Sequence, residues 1–229
     1  MLGPDDAKFA VLVRAARGEV QGTVVLLPPG GSHATTDTAL QRLRHDLPMH
    51  GWNTWLLDLD AAPGIHTGRI DPDVDHDDTA ASAPETDMEH WLVRSEARVE
   101  LALDAARASH PTVVVAASGL TATLLLHALP SASAALLIDP LELPGLTLSW
   151  PQPLPAPVME IVRPSLAVQR SPPEQASTDG GPVRYRRLVI DATGVHVEAS
   201  DVETLLTRRV RGWLKSTLTA PSGGAAVAD

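Results

Sequence analysis

The segment from Thr112 to Leu129, TVVVAASGLTATLLLHAL, constrains this chain most. Consecutive β-branched residues without polar alternation predict a strand over Thr112–Ala116 that is buried on both faces, since a strand with one wet face alternates apolar and polar residues. Ser118-Gly119 breaks it, and Leu120–Leu129 begins a helix at once that is apolar nearly all round and so sits deep. A doubly buried strand needs helices on both sides of its sheet. That predicts an α/β architecture.

The remaining pattern agrees. Phe9–Arg14 reads as a strand, residues 17–22 as a turn and Thr23–Leu27 as a buried strand, together an N-terminal hairpin feeding the sheet. Leu40, Leu43 and Leu47 recur at helical spacing before a strand at Asn53–Leu59. A second helix is predicted over Asp87–Ala108, burying Trp91, Leu92, Val99, Leu103 and Ala106. Strands follow at Ala134–Ile138, Val158–Val162 and Arg184–Ile190. Ser200-Asp201-Val202-Glu203 is a capping-box pattern ahead of an amphipathic terminal helix through Leu214. Strands alternating with helices predict a mostly parallel sheet covered on both faces, in one domain spanning residues 1–217. Residues 218–229 have nothing to bury and are expected to form a disordered tail.

Charge is uneven. The net −10 comes from 28 acids against 18 bases, and residues 71–89 hold eight acids with no Lys or Arg. The rest of the chain is nearly balanced, and residues 64–86 read as a long acidic loop. This balance argues against nucleic acid or an anionic membrane surface as the main partner, since both reward clustered bases. No run approaches the roughly 18–20 apolar residues of an integral membrane segment, and no leader pattern opens the chain. The expected location is the cytoplasm, or the periplasm or cell envelope if a leader has been removed. Absence of cysteine excludes disulfides and a cysteine nucleophile.

Sites in such sheets lie beyond the carboxyl ends of strands. The tight strand–turn–helix at Ser118-Gly119 has the form of a nucleophile elbow, which presents one side chain above the sheet. With Ser118 as nucleophile the small residues that such a turn requires would fall at Ala116 and Leu120, and leucine fits poorly. One register later, Gly119 is the apex, flanked by Ala117 and Thr121, and no nucleophile stands there. His196, between the last strand and last helix, is the candidate general base. Asp139 is the candidate acid, with Glu160 as the other carboxylate available. Pro28-Pro29-Gly30-Gly31-Ser32-His33 is a glycine-bearing strand exit suited to an oxyanion hole, with Gly30, Gly31, Gly119 and His33 as candidate binding residues. Asp71–Asp78 spaces its aspartates like a calcium loop, but His76 stands where glycine is needed and Ser82 where glutamate is, so no metal site is expected. No nucleotide-binding glycine pattern occurs and no cofactor is expected.

Gly22–Pro28 leading to Gly30–His33, then Leu43–Trp52 (LRHDLPMHGW) and Arg209–Leu214 (RVRGWL), give the chain a resemblance to a family of uncharacterised bacterial α/β-hydrolase-like proteins, a domain of unknown function. The resemblance implies a hydrolase-like fold without an established reaction, and relatives that often place a residue other than serine at the elbow apex. Two functions fit: a serine esterase or acyl hydrolase with a degenerate triad of Ser118, His196 and Asp139 acting on a small acyl or ester ligand, or a non-catalytic binding or scaffold protein that retains the fold.

Overall fold

In the computed structural model the described residues are 2, 8–30, 37–63, 85–128, 132–142, 150, 151, 153–167, 184–190 and 204–218. They form seven strands: β1 (Val11–Arg14), β2 (Gly22–Leu27), β3 (Trp52–Leu57), β4 (Val113–Ser118), β5 (Ala134–Ile138), β6 (Val158–Val162) and β7 (Tyr185–Val189). The helices are α1 (Thr38–Asp46), α2 (Glu85–Ser109), α3 (Leu120–Ala128), the single turn α4 (Pro164–Ala167) and α5 (Leu205–Leu218), with a short 3-10 turn at Leu47–His50. The strands make one sheet in the order β1-β3-β2-β4-β5-β6-β7, in which β1 alone runs antiparallel.

Every residue of β2, β4, β5 and β6 is buried, as an unalternating apolar run requires. Side-chain alternation divides them between two cores. Val25, Leu27, Val113, Val115 and Ala117 pack under α2 and α3. Val24, Leu26, Val114 and Ala116 pack under α1 and α5. In α3, all residues from Leu120 to Leu126 are buried, in keeping with its apolar circumference.

The expected N-terminal hairpin does not form. β3 lies between β1 and β2, with Val11 opposite Leu57 and Arg14 opposite Thr54. Both edges of β2 are already taken by β3 and β4, so β1 can join only at the outer edge of β3. The connecting turn crosses the start of β3 instead: Arg17 N donates to the Pro48 carbonyl and Gln21 N to that of Gly51. Gly51 has φ +83°, and a Cβ there would stand 2.5 Å from the Glu19 carbonyl oxygen, so the crossing needs glycine.

β4 extends two residues beyond the expected strand, through Ser118, which leaves Gly119 as the whole turn before α3. The Ser200–Glu203 capping box, most of the acidic stretch and the residues after Leu218 lie outside the described residues. Within them, the Thr204 hydroxyl accepts from Thr207 N at the start of α5. No described helix is long and apolar enough to cross a membrane.

Candidate functional site

The carboxyl ends of β2, β4, β5 and β6 bring Pro28–Gly30, Ser118-Gly119, Asp139 and Arg163 to one edge of the sheet. Gly119 has φ +60°, a left-handed backbone that glycine adopts without strain, and this makes it the apex of the elbow. A Cβ on Gly119 would meet the Pro29 Cβ at 2.9 Å. The strand exit after β2 therefore occupies the space where an apical side chain would rise. The Gly119 amide, expected as an oxyanion donor, instead donates to the Ile138 carbonyl at 2.9 Å, and the Gly119 carbonyl accepts from Leu141 N.

Ser118, one residue earlier, is 5 % exposed. It shares its parity in β4 with Ala116 and so turns toward the α1 side. Its hydroxyl donates to Asp37 Oδ2 at 2.5 Å. The other oxygen of Asp37 accepts from Leu40 N at 2.8 Å and caps α1. Asp37 thus ties the start of α1 to the end of β4. Aspartate immediately before a helix is a readable cap signal; its second partner, distant in sequence, had no local signal. The Thr121 hydroxyl adds another tie, lying within 3.2 Å of the Leu27, Pro28 and Ser118 carbonyl oxygens.

Asp139 follows β5 with φ 42°, an uncommon backbone for a residue with a side chain. Its Oδ1 accepts from Arg163 N at 2.8 Å, and Oδ2 lies 2.9 Å from Arg163 Nε in an ion pair. Burial raises its carboxyl above the usual range, the Arg163 amide and charge oppose that, and the nearby charge of Asp37 adds to the rise. Arg163, absent from the expected constellation, is what orients this acid. Glu160, the other carboxylate, sits within β6 on the α2/α3 face, opposite to the Ser118 hydroxyl, where Tyr185 Oη and Arg187 Nε donate to its Oε2 at 2.5 and 2.7 Å.

Gly30 has a packing role: a Cβ there would stand 2.9 Å from the Trp91 ring of α2, whose Nε1 donates to the Asp60 carbonyl. Gly31, His33, His196 and Asp71–Asp78 lie outside the described residues. Among the described residues no group of three or more His, Asp or Glu is placed to hold a metal ion.

The family described as "Protein of unknown function (DUF3530)" matches residues 1–138. No curated protein matches the sequence. Among solved structures the chain is similar to Est1E from Butyrivibrio proteoclasticus with bound ferulic acid, at 11 % identity over 93 % of this chain and 96 % of that one, with a TM-score of 0.56. It is similar to TT1662 from Thermus thermophilus at 15 % identity, covering 93 % and 95 %, with a TM-score of 0.55. A protein of the alpha/beta hydrolase superfamily from Xanthomonas campestris matches at 18 % identity, covering 86 % and 99 %, with a TM-score of 0.54. The chain spans only 65 % and 44 % of two further chains that it matches. At these identities the likeness shows the fold alone, that of α/β hydrolases.

Proposed function

The chain belongs to the DUF3530 family and has the α/β-hydrolase fold, and from that premise we propose that it is a non-catalytic binding or scaffold protein. Its elbow serves as a structural joint between strand and helix. The observation that carries this reading is Gly119 at φ +60° with Pro29 closed over it. An elbow nucleophile must stand at the apex with open space above and an amide beside it for the oxyanion. Here the apex has no side chain and Pro29 fills the space, while the Gly119 amide, which would serve an oxyanion only with Ser118 as nucleophile, donates to the Ile138 carbonyl. A small acyl or ester molecule is the ligand class that the fold suggests.

The experiment is activity-based labelling with a fluorophosphonate probe, together with turnover of short-chain acyl esters. The wild type is expected to remain unlabelled and to turn over no faster than Ser118→Ala. Labelling that disappears in Ser118→Ala, with ester turnover lost in both Ser118→Ala and His196→Ala, overturns it.

A second reading keeps the triad suggested by the sequence, although the 2.5 Å hydrogen bond that commits the Ser118 hydroxyl to Asp37 speaks against it. In it Ser118 is the nucleophile of an esterase, His196 accepts its proton and Asp139 orients the histidine. The same labelling experiment decides between the two.

A further inference from the structure

Among the described residues, two arginines at one corner of the sheet have no acid to answer them. Arg14 closes β1 and lies opposite Thr54 of β3, and directly opposite residues of an antiparallel pair stand on the same face. That face is the α1 side: Leu56, which shares its parity with Thr54, packs in the α1/α5 core, and the Thr54 hydroxyl donates to the Arg44 carbonyl at 3.3 Å. On α1, Arg44 is turned away from Asp46, which accepts from Thr207 of α5, and so stands over the β3–β1 edge. Buried Thr54 thus has Arg14 beside it and the last turn of α1 above it. Neither guanidinium enters an ion pair, and Glu19, exposed in the turn after β1, does not reach them. Arg44 Nε is shut off from solvent and meets no hydrogen-bond acceptor. A guanidinium packed in this way has lost hydration without gaining a partner, a cost that a bound acceptor would offset.

We propose that Arg14 and Arg44 form a binding site for a phosphate dianion, free or as a monoester. The site is separate from the elbow, since Thr54 is level with Val24 and Val114, well short of Ser118 and at the other side of β2. Two neighbouring guanidinium charges repel each other, and a dianion cancels both where a carboxylate would leave one. The planar fork of arginine suits phosphate oxygens, which accept paired N–H bonds. Because Nε is packed in place, the Arg44 fork is already oriented, and its outer Nη groups are the ones left to bind. Arg17, exposed and also without an ion pair, comes to the same corner through the bond from its amide to the Pro48 carbonyl. Its charge adds to the field that draws the anion in.

The test is isothermal titration of the full chain with inorganic phosphate and with glycerol 3-phosphate at constant ionic strength, with acetate as the monoanion. Saturable binding of phosphate is expected, and binding of acetate about tenfold weaker or less. Arg14→Gln and Arg44→Gln each weaken phosphate binding about tenfold, because each removes a charge-assisted contact. The double variant abolishes it, while Arg186→Gln in β7, at the opposite edge of the sheet, leaves it unchanged. Arg44→Lys keeps the charge but not the fork and retains part of the affinity. Should an arginine variant unfold early, the gain in urea midpoint on exchanging chloride for phosphate is read instead. Wild type and Arg186→Gln then gain more than Arg14→Gln or Arg44→Gln, since only a bound ligand adds to the general effect of the salt. No binding, acetate binding as tight as phosphate, or a loss in Arg186→Gln equal to that in Arg14→Gln overturns the proposal. So does phosphate binding that survives in the double variant, which would place the anion elsewhere. Binding of glycerol 3-phosphate at least as tight as phosphate supports a monoester ligand, and binding of inorganic phosphate alone supports the free ion.

Discussion

Gly119 shows how much a single residue decides here. Its φ of +60° and the 2.9 Å approach of Pro29 to its missing Cβ act together: a side chain would be strained by the backbone and would also collide. Gly119→Ala is therefore expected to destabilise the fold by about 1–3 kcal/mol, read as a lower urea midpoint with unchanged slope. A wild-type midpoint would mean that Pro29 moves aside freely. The sequence left Ser118 and Gly119 open as the apex and noted that Ala117 and Thr121 suited glycine better; the backbone angle decides for Gly119. Asp139 is legible as the residue ending a buried strand. Its partner Arg163 is not, because the two meet only through the pairing of β5 with β6.

At the scale of elements, the β6–β7 pair carries a buried polar cluster. Glu160 is fully buried, and Tyr185 Oη and Arg187 Nε donate to it from the neighbouring strand, with Trp150 edge-on to Tyr185 at 5.2 Å. Removing one member of a buried pair strands the other charge. Arg187→Leu is accordingly expected to destabilise by about 3–5 kcal/mol, and the triple change Glu160→Leu/Tyr185→Phe/Arg187→Leu to recover most of it. Denaturant melts of the two variants check this; equal midpoints would show that Glu160 needs no partner. Element type and order along the chain were readable from the alternation of β-branched runs and helical spacing. Pairing was not: the glycine-bearing turn after β1 looks like a hairpin turn, yet β3, joined to β2 through α1, occupies the place beside β2, and β1 pairs with the outer edge of β3.

Across the whole molecule, α1 and α5 are joined by one buried acid. Arg42 Nε, the His45 ring and the Thr207 hydroxyl surround Asp46, and Thr207 stands 161 residues away in the chain. Burial alone would raise this carboxyl, but the hydrogen bonds of His45 and Thr207 and the charge and hydrogen bond of Arg42 outweigh it and hold it below 3.8. A depressed carboxyl contributes stability above its unfolded value and loses it as pH falls through the folded one. The stability gap between wild type and Asp46→Asn is thus expected to be widest near neutrality and to shrink below pH 3.8, as urea midpoints across that range would reveal. A gap independent of pH would remove Asp46 from the acid response. Asp139, raised by burial, has the opposite sign: its contribution falls as pH rises from 3.8 through its folded value. By itself the sequence determined the α/β class, the doubly buried β4, the deep α3 and the small-residue elbow, because each follows from local periodicity and composition. Only the tertiary structure decided that Gly119 is the apex and that Asp37 and Arg163 take the Ser118 hydroxyl and the Asp139 carboxylate. Those outcomes depend on which strands become neighbours, and no stretch of sequence states that alone.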